Sequence, residues 1–151
     1  MRGDVTIDIS APPEVVWAVL SDVESWPTWT ASITSVRPLS PDPLQVGSRV
    51  RIKQPRLPAT VWTVSELVEG ERFTWTATGP GVHTRASHRV VGTAAGSRVT
   101  LSIDQAGVLG RLVGRLYGGL TRRYVEMEAA GLKQWSESSA PLGADGVGTG
   151  A

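Results

Sequence analysis

The chain has 151 residues with 15 basic and 14 acidic side chains, a net charge of +1 at neutral pH. This length suits one domain with a sizeable core, and the near-zero charge gives no general attraction to nucleic acid or acidic membranes. The absence of cysteine excludes disulfides, thiol nucleophiles and thiolate metal sites. Charges interrupt the first ten residues and no apolar run is long enough to span a membrane, so we expect a soluble, cytoplasmic protein.

The first forty residues predict one strand followed by two short helices. Residues 5–9, VTIDI, alternate apolar and polar side chains, as a half-buried strand does. Pro12 and Pro13 then suit the first turn of a helix, where the backbone N–H groups have no helical partner. Pro27 interrupts the following stretch and favours a second short helix over 22–30.

The rest of the chain predicts a run of strands and then one long helix. Six strand-like segments separated by turn residues lie between Ile33 and Asp104, and their short connections favour antiparallel pairing. After Gly107, apolar residues recur every three or four positions, which is typical of a helix. The tail 138–151 is small and polar, so we predict a domain over 1–137 followed by a disordered tail.

Three segments, IDISAPPEVVWAVLSDVESWPTW, GSRVTLSID and LKQWSE, resemble the polyketide cyclase/dehydrase and lipid-transport superfamily, SRPBCC, with its START-like and birch-pollen-allergen-like members. The resemblance covers residues 4–137. It implies an α+β helix-grip fold, in which a curved antiparallel sheet of about seven strands wraps around a long C-terminal helix and two short helices follow the first strand. It also implies a cavity between the sheet and that helix.

Turn positions predict which strand residues face inward, because each hairpin carries one face of the sheet onto the next strand. A two-residue turn at Glu69 and Gly70 would begin this chain of pairings. The predicted pairs are Val64 with Trp75, Glu66 with Phe73, Phe73 with His88, and His88 with Leu101. The inward face is then apolar with few polar groups, as in a small-molecule pocket.

The predicted ligand-binding residues are those of this inward face together with two aromatics near its rim. They are Trp62, Glu66, Phe73, Trp75, Thr84, His88 and Leu101, with Trp29 and Tyr117 at the rim. Of the tryptophans 26 and 29, one is expected to pack the helices on the sheet and the other to lie near the cavity, and the sequence does not decide between them. Burial favours a neutral His88, suited to act as a base or a hydrogen-bond partner.

The leading functional prediction is binding, and in that case transport, of a hydrophobic small molecule such as a lipid, polyketide or aromatic metabolite. The first alternative is a cyclase or dehydratase that uses His88 for acid–base catalysis in the same pocket. The second is a protein-interaction module whose cavity is filled by its own tryptophans. An inward histidine is also a common satisfied core residue, and this interpretation of His88 stays open.

Other chemistries and partners find little support. No nucleophile elbow or phosphate-binding loop occurs, and no cofactor is expected. No metal is expected either, because His83 and His88 lie five residues apart on one strand and point to opposite faces. The outward arginines lack interleaved aromatics, which argues against nucleic acid. The sequence leaves the oligomeric state open.

The start of the predicted long helix combines arginines with recurring glycines. Its arginines, Arg111, Arg115, Arg122 and Arg123, suit either a solvated face or transient docking to an anionic membrane surface. Gly110, Gly114 and Gly118 recur every four residues, which weakens a soluble helix. We interpret this weak segment as a flexible gate over the cavity, with close packing against the sheet as the alternative.

Overall fold

The computed structural model describes residues 2–41 and 43–139. The elements in chain order are β1 (Arg2–Ile9), α1 (Pro13–Ser21), a 3-10 turn (Val23–Ser25), α2 (Trp26–Trp29), β2 (Ser35–Pro38), β3 (Arg49–Lys53), β4 (Thr60–Val68), β5 (Arg72–Gly79), β6 (Val82–Thr93), β7 (Gly96–Ala106) and α3 (Gly110–Ser139). This is the predicted order of one strand, two short helices, six strands and one long helix.

The strands form one antiparallel sheet in the order β1-β7-β6-β5-β4-β3-β2. Sequential hairpins account for every neighbour except β1, which pairs with β7 from Arg2 opposite Asp104 to Ile9 opposite Ser97. The helix α3 packs against β1, β7 and β6 and also against α1 and α2. The predicted α+β helix-grip fold is therefore confirmed.

The core lies between the inner face of the sheet and the helices, where apolar burial is the main source of stability. Strand residues such as Val64, Phe73 and Val99 are fully buried there. Leu20 of α1 and Leu132 of α3 meet them from the helical side and are equally inaccessible. The alternation of buried and exposed positions along β3 and β7 follows the two-residue period of a strand.

The predicted strand register is correct for most of the sheet but wrong at Glu66. Val64 pairs with Trp75 and His88 with both Phe73 and Leu101, as expected. Glu66, however, pairs with Thr74 beyond a β-bulge at Ser65, and it lies on the outer face. The cause is the turn that joins β4 to β5.

That turn has three residues instead of the predicted two, since Val68 pairs with Arg72 and Gly70 takes a positive φ of 78°. Three-residue hairpins use such a left-handed glycine. The longer turn shifts the register by one residue, and the bulge at Ser65 shifts it back. Residues 66–68, between the bulge and the turn, therefore point to the faces opposite to those predicted. The part of β4 that precedes the bulge has the predicted register.

The long helix α3 has an exposed first half and a buried second half. Its early apolar side chains stay accessible, with Leu112 50% and Leu116 65% exposed, whereas Leu132 is inaccessible. The helix continues to Ser139, so residues 138 and 139 of the predicted disordered tail are helical instead. The remainder of that predicted tail, 140–151, lies outside the described residues.

Candidate functional site

A small cavity lies between the inner face of the sheet and α3. Trp26, Trp62 and Trp75 form one side of it, and Tyr124 and Glu128 approach it from α3. Measured over the positions that the centre of a water molecule can take, its volume is about 60 Å³. On that measure one water needs roughly 10–15 Å³, so the cavity has room for about four to six waters or for one small ring of similar size.

His88 sits in this cavity wall with its ring fixed by Phe73. The two rings stack with centroids 4.2 Å apart and an angle of 14° between their planes. The Nδ1 atom of His88 lies 3.3 Å from the Phe73 carbonyl oxygen, which can only accept a hydrogen bond. Nδ1 therefore donates, and Nε2 is the nitrogen left to face the cavity.

Glu128 faces that nitrogen from α3. Its Oε1 atom lies 3.6 Å from Nε2 of His88, and both side chains are largely buried, with 12% and 5% exposed. This distance allows an ion pair but is too long for a hydrogen bond. Accordingly, Oε1 of Glu128 has no hydrogen-bond donor among the described residues.

The side chains of His88 and Glu128 face one another at the cavity without a direct hydrogen bond. With Nδ1 committed to the Phe73 carbonyl, Nε2 of His88 and Oε1 of Glu128 are the polar atoms of the pair left for a ligand. The expectation for His88 from burial alone left out this neighbouring carboxylate.

The sequence analysis missed Glu128 because it followed the apolar residues of α3. The buried stripe of the helix runs through Tyr124, Glu128, Leu132 and Ser136, at intervals of four residues. The signal available in the sequence was this four-residue spacing, which places the acidic Glu128 between Tyr124 and Leu132 on one face of the helix. Trp135, although apolar and close to this stripe in sequence, is 40% exposed.

Trp26 and Trp29 have different roles. Trp26 lines the cavity, with its ring centroid 5.5 Å from that of His88, and its Nε1 donates to the Leu20 carbonyl oxygen at 3.0 Å. Trp29 instead packs α2 against α3 at Gly131 and does not line the cavity. Of the two, Trp26 is therefore the tryptophan that lines the cavity, and the rim position of Trp29 stays a prediction.

The structure brings four of the predicted site residues together, namely Trp62, Trp75, His88 and Leu101. Trp62 and Trp75 touch one another with ring centroids 5.7 Å apart and enclose the cavity on the β4–β5 side. Leu101 lies opposite His88 on β7. The positions of these four residues on the inner face follow from the strand register.

The other predicted positions lie away from the cavity. Phe73 is fully buried behind His88, and Thr84 pairs with Ala77 outside the cavity wall. Tyr117 is 44% exposed on the first half of α3. Glu66 points outward, where Arg72 Nε donates to its carboxylate at 2.6 Å and lowers its pKa.

The loop between β3 and β4 closes one end of the cavity. Tyr124 donates its hydroxyl hydrogen to the Pro55 carbonyl oxygen at 2.5 Å, and Gln54 beside it also lines the cavity. Arg56 in this loop has a positive φ of 65°, an uncommon conformation for a residue with a side chain. The loop is thus tied to α3 one turn before Glu128.

Residues 2–41 and 43–139 contain neither a group of metal-binding side chains nor a membrane-spanning helix. In this part of the chain no three histidine, aspartate or glutamate side chains are grouped closely enough to hold a metal ion. His83 points away from the cavity, with Nδ1 3.0 Å from the Thr78 hydroxyl. None of the helices described there has the length and apolar character needed to cross a bilayer. Transient membrane contact stays a prediction.

A family model described as polyketide cyclase/dehydrase and lipid transport matches residues 2–137. Curated relatives match over a shorter stretch: the uncharacterized proteins Rv2574 of Mycobacterium tuberculosis and Mb2604 of Mycobacterium bovis are each 40% identical over 43 residues. Those residues are 28% of this chain, and the chain spans 26% of the length of each relative.

Solved structures match over nearly the whole chain at low identity. The Zhui aromatase/cyclase from a Streptomyces species superposes with a TM-score of 0.76 at 17% identity, over 91% of this chain and 93% of that one. A START superfamily protein from Mycobacterium smegmatis gives 0.69 at 15% identity, over 89% and 98%. The protein TTHA0849 from Thermus thermophilus gives 0.70 at 18% identity, over 92% and 97%. At these identities the match establishes the fold alone.

Proposed function

The chain belongs to the polyketide cyclase/dehydrase and lipid-transport family, and from that premise we propose that it binds a hydrophobic small molecule through one polar group. The observation that carries the proposal is the pair of His88 and Glu128. These two ionisable side chains are buried at an apolar cavity, and an oxygen of Glu128 has no donor among the described residues. A ligand hydroxyl would supply that donor.

The geometry of the pair suits a hydroxyl group. A hydroxyl beside both atoms would donate its hydrogen to Oε1 of Glu128 and accept one from Nε2 of His88. Hydrogen bonds to charged groups are stronger than neutral ones, and leaving a buried carboxylate oxygen without a donor is costly. The surrounding tryptophans favour an aromatic ring next to that hydroxyl. The proposed ligand class is therefore a hydroxylated aromatic molecule.

One feature of the structure agrees with the alternative of a protein-interaction module: tryptophan side chains occupy much of the space between the sheet and the helix. A cavity serving only as packing would gain nothing from a buried acid without a donor, and replacement of such a group by an apolar residue ordinarily stabilises a core or leaves it unchanged. The presence of Glu128 on the buried stripe of α3 therefore favours a ligand over a purely structural core.

The second candidate function is acid–base catalysis, and the same pair favours it. In a dehydration, the Glu128 carboxylate would remove a proton from the carbon next to a carbonyl. The carbon–oxygen bond then breaks as the double bond forms, and a proton from His88 Nε2 leaves with the hydroxyl as water. The two groups have the complementary roles that this step needs, and the fold of the Zhui aromatase/cyclase is compatible with it.

The first experiment is native mass spectrometry of gently purified protein, followed by organic extraction of any bound molecule. Tryptophan fluorescence then measures the affinity of that molecule, or of 2-naphthol as a probe, for the parent, Glu128→Gln and Glu126→Gln. Glu126 is the matched control, because it lies on the exposed side of the same helix. We expect Glu128→Gln to weaken binding by roughly tenfold or more and Glu126→Gln to leave it unchanged.

Equal affinity of the parent, Glu128→Gln and His88→Gln for every ligand would refute the proposal. Catalysis is distinguished by product: incubation with a linear poly-β-ketone thioester should yield a product that has lost water. An enzyme would lose this rate in Glu128→Gln, whereas a binding protein would form no product even in the parent.

A further inference from the structure

A second, larger space adjoins the cavity between the start of β1 and the first half of α3. Gly3 and Val5 of β1, Ile103 of β7, and Gly118, Gly119 and Val125 of α3 line this groove. On the measure used for the cavity its volume is about 220 Å³, so it is much the larger of the two spaces. None of the residues assigned to the pocket from the sequence lies in it.

The groove and the cavity share two wall residues, Ile103 and Val125. Ile103 lies on β7 opposite Gly3, and Val125 lies on α3, less than one turn before Glu128. Both side chains are only half-buried. A change of side-chain rotamer at these two positions, which needs no movement of the backbone, would connect the groove to the space beside Glu128.

The floor of the groove suits an apolar group. Its strand and helix residues are glycine, valine and isoleucine, and the charges at its rim are of both signs, with Arg2 and Arg122 beside Asp4. Arg122 is already paired with Glu126, with its Nε 3.1 Å from the carboxylate. The rim therefore offers no net attraction to an anion, and the groove takes a neutral chain or ring.

Gly119 of α3 helps to keep this groove open. A Cβ atom at Gly119 would meet no other atom within 4 Å, so the position borders free space and not a packed surface. A larger side chain there would enter that space without disturbing the helix. Gly119 thus has a use that differs from both interpretations given for the neighbouring glycines of this helix, a flexible gate and close packing against the sheet.

Resting on the proposed function, we propose that the groove and the cavity form one elongated site for a neutral amphiphile. The hydroxylated ring binds beside His88 and Glu128, and an alkyl chain passes between Ile103 and Val125 into the groove. The cavity alone is far below the roughly 300–1,000 Å³ of ordinary ligand pockets, so a molecule of that class needs the adjoining space. Alkyl-substituted phenols represent this ligand class.

The experiment compares 4-ethylphenol with 4-heptylphenol by isothermal titration calorimetry. Each methylene that leaves water improves affinity by roughly fourfold, so the parent should bind the heptyl compound more than tenfold tighter. Gly119→Leu fills the groove and should remove that advantage while leaving 4-ethylphenol unchanged. Ala130→Leu is the matched control, since it adds the same side chain at an exposed position of the same helix, and should keep the advantage.

The outcomes separate this inference from the proposed function. One outcome is that 4-ethylphenol binding depends on Glu128 but Gly119→Leu still binds 4-heptylphenol more tightly than 4-ethylphenol. This outcome would overturn the elongated site and leave the proposed function intact. Binding of both phenols that is indifferent to Glu128→Gln would overturn the proposed function. If neither phenol binds the parent, both proposals fail. Val125→Ala gives an independent check, because a smaller side chain widens the passage between Ile103 and Val125 and should strengthen the binding of 4-heptylphenol.

Discussion

Gly131 offers a direct test of how closely α3 packs on α2 beside the site. A Cβ atom there would lie 2.1 Å from the carbonyl oxygen of Trp29 and 3.1 Å from its carbonyl carbon. Because these atoms are backbone, no rotation of a side chain relieves the contact, and α3 must move away from α2. Overpacking of this kind costs roughly 1–3 kcal/mol or more, against about 1 kcal/mol gained when alanine replaces glycine in a helix.

Because a contact of 2.1 Å with backbone belongs at the upper end of that range, we expect Gly131→Ala to lower the free energy of unfolding by about 2 kcal/mol, or the Tm by several degrees. Gly119→Ala in the same helix has free space around its new methyl group and should raise the free energy by up to about 1 kcal/mol. Urea denaturation followed by tryptophan fluorescence and circular dichroism measures both. Equal stabilisation by the two substitutions would refute the close helix contact.

Two further substitutions test the ties between α3 and the rest of the fold. Tyr124→Phe removes the hydrogen bond to the Pro55 carbonyl and should cost about 1 kcal/mol and speed amide exchange in the loop 54–59, whereas Tyr117→Phe, at an exposed hydroxyl, should change neither. Unchanged exchange in Tyr124→Phe would contradict this. Lys133 and a backbone amide hold the pKa of Glu137 below its usual value of 4.5, so its stabilising contribution is present at neutral pH and is lost as the pH falls through the lowered pKa. Glu137→Gln should therefore flatten the loss of stability below about pH 4.5 in acid titrations, and an unaltered acid limb would contradict the assignment.

The sheet was largely predictable because turns and alternation specify it together. Around His88, the hairpin pairings and a clean apolar face both led to the register that the structure has. At Glu66 the same reasoning was wrong, since a three-residue turn and a bulge at Ser65 cancel beyond Val64. Alternation cannot reveal two compensating shifts, because the apolar residues on either side of them still fall on one face.

The helical half of the site was much less predictable. From the sequence alone, Glu128 is expected to be a solvent-exposed acid. Only the burial of the neighbouring Tyr124 and Leu132 in the structure shows that it lies on the inner face of the helix. The sequence alone also gives no distance between opposite walls, and it is the spacing of Trp26 from the sheet tryptophans that leaves so small a cavity. Side-chain direction follows from local periodicity, whereas the volume between two elements follows from how they pack.

The pair His88 and Glu128 joins a strand of the sheet to α3, so the position of that helix controls the site. Its second half is anchored, since Gly131 touches Trp29 and the Ser10 backbone N–H donates to Glu137 at 2.8 Å. Its first half carries exposed leucines and borders the groove. Glu128 lies where the two halves meet. In the proposed site, a ligand that enters beside the first half would therefore meet a carboxylate whose backbone the second half holds in place, and such preorganisation would reduce the entropy that binding must overcome.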